Sequence, residues 1–135
     1  WPGAQSVSGK SATVGADWIP YSRQKLAELR AQSQPVFIDF TATWCITCQV
    51  NKRVALNDEG VVRRFGELEI VRMKADWTLQ DPEITQALAE FGRNGVPLYV
   101  FYPRQGQAKV LPEILTPSMV LEAISTSSPA PTSPR

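Results

Sequence analysis

Cys45 and Cys48 are the only cysteines in the chain, and two residues separate them. A thiol reacts as its thiolate, and near neutral pH little of a free cysteine is ionised. Before the pair, Val36 to Phe40 form an apolar run that reads as a buried strand. After it, Gln49-Val50-Asn51-Lys52-Arg53-Val54-Ala55-Leu56 contains no Gly or Pro and reads as a helix, so Cys45 falls where that helix begins. The first turn of a helix presents unpaired N–H groups and the positive end of the macrodipole, and both favour an anion. Cys45 is therefore the expected nucleophile. Cys48, one turn on and directed toward the body of the protein, is the expected resolving thiol. At this spacing the sulfurs can reach bonding distance, so the pair can cycle between dithiol and disulfide with little backbone movement.

The absence of histidine removes several competing chemistries. Gln49 follows the second cysteine, where a haem-attachment motif needs His. A Cys–His nucleophile pair cannot be built, and a closed zinc site wants about four Cys or His ligands where the chain offers only its cysteine pair. The alternatives to a redox dithiol are half of an intermolecular metal site or a structural crosslink. A bridge closing so short a loop constrains the unfolded chain little. A net charge of +1 gives no argument for nucleic acid or an anionic membrane surface. No apolar run approaches the roughly 18 residues of a membrane span. The 135 residues suffice for one domain with its own core. The start, Trp1-Pro2-Gly3, is neither Met-initiated nor basic-then-apolar, which reads as a processed protein or an excised domain.

The elements that must position the cysteines follow in order. Residues 1–15, rich in Gly, Ser and Ala, read as a flexible arm, residues 16–125 as the domain, and residues 126–135, heavy in Ser and Pro, as a disordered tail. Trp18 to Tyr21 is expected as a short edge strand, since Pro20 cannot donate within a sheet. Ser22 is expected to cap a helix through Ala31, with Leu26 and Leu29 inward. The strand Pro35 to Phe40 and the active-site helix through Leu56 come next. Asn57 or Asp58 then caps a helix with Val61, Val62 and Phe65 inward and Gly66 as its stop. Leu68 to Ala75 reads as a strand, and Asp81-Pro82-Glu83 opens a helix to Phe91 that Gly92 closes. Leu98–Tyr102 and Ala108–Leu111 read as a hairpin, and Thr116-Pro117 as the start of a last helix with Met119, Val120 and Ile124 inward. Strands alternating with helices predict an α/β fold, a central mixed β-sheet with helices on both faces.

Asp39 interrupts the central strand. On strand pattern alone it reads as a solvent-facing or capping residue. Its place six residues before Cys45, on a strand expected to be buried, supports a second reading. A desolvated carboxyl has a raised pKa and suits a proton acceptor for the resolving thiol.

The segments Val36-Phe37-Ile38-Asp39-Phe40, Trp44-Cys45-Ile46-Thr47-Cys48 and Gly95-Val96-Pro97 make the chain resemble thioredoxin-fold domains. Adding Gln49-Val50-Asn51, Lys74-Ala75-Asp76-Trp77-Thr78, Asp81-Pro82-Glu83-Ile84 and Leu98-Tyr99 sharpens the likeness. Over residues 16–125 the chain resembles the C-terminal periplasmic domain of the transmembrane thiol–disulfide interchange protein DsbD and its ScsB-like relatives. The resemblance implies a thioredoxin-like fold and a cis peptide bond at Pro97. It implies that Val96 offers backbone groups to a bound partner, with Trp44, Ile46 and Thr47 beside it, and that Asp39 is the buried acid serving proton transfer. Trp44 and Trp77 either flank the site or serve packing.

The resemblance further implies a thiol–disulfide oxidoreductase that takes electrons from a membrane-embedded redox domain and passes them to periplasmic thioredoxin-like or other disulfide-bearing proteins. It would be a monomeric domain in the periplasm, tethered to the inner membrane in the full-length protein. Its only electron carrier would be the Cys45–Cys48 pair, with no cofactor or metal. Relatives tend to carry Glu where this chain has Lys52 and Lys where it has Gln49. A cation at 52 favours the Cys45 thiolate where Glu would oppose it, although a solvated helix lysine is the plainer reading. Two alternatives stand beside the relay: a free-standing oxidase or isomerase, and a non-enzymatic module whose cysteines bind metal across a dimer.

Overall fold

The computed structural model describes residues 18–125, so the arm expected over 1–15 and the tail expected over 126–135 lie outside the described residues. Strand β1 (Ile19–Pro20) leads through α1 (Arg23–Ala31) to β2 (Val36–Thr41). The active-site helix α2 (Ile46–Asn51) continues as a π-helical turn (Lys52–Leu56), then come α3 (Glu59–Glu67), β3 (Val71–Asp76) and α4 (Pro82–Glu90). The hairpin β4 (Leu98–Tyr102) and β5 (Lys109–Val110) precedes α5 (Pro117–Ile124). The sheet order is β1-β3-β2-β4-β5, with β2 parallel to β3 and antiparallel to β4. The sheet is therefore mixed, as expected, and β1 is an edge strand parallel to β3.

All six residues of β2 are buried, because both faces of the sheet are covered. Val36, Ile38 and Phe40 face a cluster completed by Leu29 of α1 and by Ile84 and Leu88 of α4. Phe37 points the other way, toward Leu56, Val61 and Phe65 and toward Val120 and Ile124 of α5. Asp39 and Thr41 share that second face, since side chains alternate along a strand. This is the face on which the active-site helix lies.

Apart from one- or two-residue shifts at element ends, three features differ from the sequence reading. Helix α3 does not stop at Gly66. It ends in a Schellman turn in which Ile70 N–H donates to Phe65 O (3.0 Å) and Glu69 N–H to Gly66 O (3.1 Å). Glu69 takes the left-handed conformation (φ 57°), which glycine normally supplies, so β3 begins at Val71 and not at Leu68. The active-site helix widens into a π-turn after Asn51, with Asn57 N–H donating to Lys52 O (2.8 Å), and no Gly or Pro marks the change. Met119 is exposed, because α5 buries the next position and its one-turn neighbour, Val120 and Ile124.

Phe37 is fully buried, and its ring meets Trp18, Phe65 and Tyr99 at centroid distances of 6.3, 5.3 and 6.4 Å. It joins the strand that carries Asp39 to the helices of its face. Phe37→Ala is expected to lower stability by about 3–5 kcal/mol, as for other large core truncations. Urea denaturation checks this, with the midpoint falling and the slope unchanged.

Candidate active site

Chain geometry at the end of β2 delivers the cysteines. Strand β2 ends at Thr41, the Cys45 N–H donates to Ala42 O (3.1 Å), and Cys45 becomes the N-cap of α2. The two cysteines are joined as a disulfide, with Cα atoms 5.3 Å apart. Cys48 N–H donates to Cys45 Sγ at 3.1 Å. A donor in that place favours negative charge on the first sulfur, as the position at the helix start predicts. Cys45 is 7% exposed and Cys48 1%, so Cys45 is the more accessible of the two. Gln49 braces the entry to the helix, its N–H donating to Cys45 O (3.2 Å) and its side chain to Ala42 O (3.0 Å).

Around Cys45 the surface is apolar and open. Trp44 is 53% exposed and Ile46 79%, and Leu79 projects from the loop after β3. Thr47 is half-buried one position before Cys48. Trp44 is fixed, with its indole N–H donating to Thr78 O (3.1 Å) and its ring 5.9 Å from that of Trp77. Trp77 is buried among the residues of the α1/α4 face, and its N–H donates to Thr85 Oγ1 (2.8 Å). Trp77 thus serves packing and Trp44 lies at the surface of the site. On the other side, half-buried Val96 packs against Ala42, Cys45 and Cys48, and the Val96–Pro97 peptide bond is cis.

Beneath this surface lies the polar interior. Asp39 is 3% exposed, and its Oδ1 has no hydrogen-bond partner among the described residues. It pairs in register with Lys74 on β3 and with Tyr99 on β4, so these three side chains share the sheet face under the active-site helix. Burial raises the Asp39 carboxyl to about 7, against the opposing charges of Lys52 and then Lys74. Lys52 sits in the first turn of the π segment, half-buried. Its charge therefore bears on Asp39. Tyr99 is pushed upward by its own burial and then by the Asp39 charge.

Sequence reasoning gave no role to four residues that the fold brings to this interior. Lys74 follows from the β2–β3 register, which no single-strand pattern reveals. Thr41 ends β2 with a buried hydroxyl that has no hydrogen-bond partner among the described residues. Asn51, 1% exposed, donates to Tyr99 Oη (2.9 Å) and Glu113 O (2.7 Å), and its Oδ1 accepts from Leu115 N–H (3.0 Å). It ties the active-site helix to β4 and to the strap before α5. A polar residue three positions after the buried Cys48, on the same helix face, is the signal that could have found Asn51. Tyr99, its partner, sits within an otherwise apolar strand and gives no such signal.

Residues 17–103 match a family of proteins described as thioredoxin-like. The chain is 24% identical over 97 residues to the thiol:disulfide interchange protein DsbD of Campylobacter jejuni, and 30% identical over 88 residues to that of Yersinia pestis. Those matches cover 72% and 65% of this chain but only 17% and 14% of the relatives, so the chain spans less than a fifth of their length. The Neisseria meningitidis DsbD C-terminal domain in its reduced form aligns with a TM-score of 0.61 at 25% identity, covering 75% of this chain and 88% of that one. Its oxidised form gives 0.63 at 23% identity, covering 79% and 96%. A disulfide at the start of a helix, a cis-proline loop beside it and a matching family over most of the described residues lead to one assignment: the chain belongs to the thioredoxin-like family, and within it resembles the C-terminal domain of DsbD.

Proposed function

We propose that this domain relays reducing equivalents from a membrane-embedded redox domain to disulfide-bearing proteins of the periplasm. The single observation that carries the reading is the unequal placement of the two sulfurs. Cys45 lies at the rim of an open apolar surface, while Cys48 lies beneath it with a buried carboxyl on the adjoining sheet face. The domain is a thiol–disulfide oxidoreductase of the DsbD type, and the cysteines themselves carry the electrons, so the reaction needs no cofactor. No helix among the described residues is long and apolar enough to cross a membrane. In this reading the membrane domain lies elsewhere in the full-length protein, and the relay domain is monomeric.

In the reducing direction the Cys45 thiolate attacks one sulfur of the partner disulfide. A mixed disulfide forms and the partner's other sulfur leaves as a thiolate. Cys48 then gives its proton to the Asp39 carboxylate and attacks Cys45 Sγ. The Cys45–Cys48 disulfide forms and the partner's second thiolate is released. Two electrons pass to the partner, whose thiolates take up protons from water. Reduction by the membrane domain reverses the sequence. Trp44, Ile46, Thr47 and Val96 supply the surface against which the partner docks, and Lys52 keeps Asp39 from remaining protonated at neutral pH.

Three measurements test this reading. A redox titration followed by Trp44 fluorescence is expected to give a midpoint near or below about −200 mV, toward thioredoxin, whereas about −120 mV would mark an oxidase. Absence of any reversible two-electron transition would leave only a structural or metal-binding module. Cys48→Ala is expected to trap partners as mixed disulfides on non-reducing gels. Trapping by Cys45→Ala alone would reverse the assigned roles. The third is the pH dependence of stability. Unfolded, Asp39 loses its proton near pH 4; folded, it keeps it to about 7. Between these values the folded state binds one more proton, so this group's contribution to stability falls as pH rises from about 4 to about 7 and is level above. Asp39→Asn in the oxidised protein is expected to remove that fall and to be more stable than the parent at pH 8. Equal pH profiles for the two proteins would show that Asp39 is not desolvated.

A further inference from the structure

Helix α4 closes in a way that turns one side chain back toward the redox site. Gly92 takes the left-handed conformation (φ 73°), its N–H donates to Ala89 O (2.9 Å), and the Arg93 N–H donates to Leu88 O (3.0 Å). This Schellman pattern fixes the Arg93 backbone at the start of the irregular segment that leads to Val96 and Pro97. The guanidinium then serves two acceptors from one nitrogen. Nη1 donates to Pro97 O at 3.3 Å and to Glu113 Oε2 at 3.1 Å. Pro97 has no N–H of its own, so its backbone can be held by a hydrogen bond only through the carbonyl.

Glu113 makes a second bond, and that one runs to the active-site helix. Its backbone carbonyl accepts from Asn51 Nδ2 (2.7 Å), and two residues on the Leu115 N–H donates to Asn51 Oδ1 (3.0 Å). Buried Leu111 and Leu115 anchor the strap on either side of Glu113. A continuous chain of contacts therefore passes from Asn51 in α2 through Glu113 and Arg93 to the Pro97 carbonyl. Its two ends carry the two walls of the site: the helix that holds Cys48, and the loop whose Val96 packs against Cys45 and Cys48. A charged pair with side chains 29% and 60% exposed contributes little to global stability. Its effect falls on the loop it holds and not on the core.

We propose that Arg93 and Glu113 form a clasp that sets the Val96–Pro97 loop against the active-site helix, holding the Val96 backbone where a partner's polypeptide can pair with it beside Cys45. The inference rests on the reading of Val96 as the residue that offers backbone groups to a partner, and adds the side chains that position it. Arg93 and Glu113 act through the loop and are positioning residues. A guanidinium suits the task because its donors lie in a fixed plane, whereas a lysine ammonium is a point charge on a flexible stem.

The experiment follows the reduced protein in single turnover against two disulfides. Insulin brings polypeptide on both sides of its disulfides; DTNB is an aromatic disulfide with no peptide backbone. Amide exchange at Gly95 and Val96 is measured on the same proteins. Arg93→Gln is expected to speed exchange at Val96 about threefold or more and to raise the half-saturating insulin concentration about fivefold, with the limiting rate within about twofold of the parent. With DTNB the change is expected to stay within about twofold. Arg93→Lys is expected to fall between parent and Arg93→Gln. Glu113→Gln is expected to act in the same direction and to add nothing when combined with Arg93→Gln, since both remove one contact. Should Arg93→Gln not fold, Glu113→Gln makes the same comparison from the other end of the pair. Unchanged exchange with unchanged half-saturation would overturn the clasp. So would a raised half-saturation with unchanged exchange, because Arg93 would then meet the polypeptide directly. Equal losses with insulin and DTNB would also overturn it, as a general disturbance of the site. Faster exchange with the parent's insulin half-saturation would instead remove Val96 as the docking point, the loop being held but the polypeptide binding elsewhere.

Discussion

A carboxyl group held inside an apolar sandwich is the constraint around which the rest of this site is arranged. Strand β2 is buried along its whole length, and at Asp39 that burial acts on a group that water would otherwise ionise. Raising a carboxyl from 3.8 to about 7 corresponds to about 4 kcal/mol of preference for the neutral form, a large share of the 5–15 kcal/mol that holds a typical domain folded. Desolvation wins over the two lysines, and they still matter. Without Lys52 and Lys74 the carboxyl would titrate higher still. The balance between burial and two nearby cations leaves it poised.

Holding that balance requires that the helix above Asp39 not drift. Asn51 does this from three directions, binding the Tyr99 hydroxyl on the sheet and the backbone at Glu113 and Leu115. Its hydrogen bonds are buried and therefore stronger than their counterparts in water, and each leaves a stranded partner if broken. Lys52 follows it in sequence, so the turn that places the cation is fixed by the residue before it. The π-turn begins at the same point, and Ala55 and Leu56 within it still reach the core.

Much of this was legible in the sequence because local signals and tertiary packing agree. The Cys-x-x-Cys, the apolar run before it, the Asp81-Pro82 helix start and the edge position set by Pro20 are local facts, and the fold preserves them. The end of α3 departs from its local signal: Gly66 suggests a stop, whereas Glu69 accepts the left-handed turn and lets the helix run past Gly66. The π-turn leaves no trace in residue type. The site's interior was partly hidden for a different reason. Asp39 stands out as a charge in an apolar run, but Lys74, Tyr99 and Thr41 acquire meaning only through register and burial, which arise between strands.

Lys52 shows how the structure changes the meaning of a departure visible in the sequence. Read beside the cysteines alone, a cation there favours the Cys45 thiolate. In the fold its charge also opposes the burial of Asp39, drawing the carboxyl down toward the pH at which it can accept a proton. A glutamate in the same place would push both groups the other way, raising the nucleophile and leaving the acceptor protonated. The departure therefore reads on the buried carboxyl: a lysine at 52 lets Asp39 give up its proton more readily than a glutamate there would.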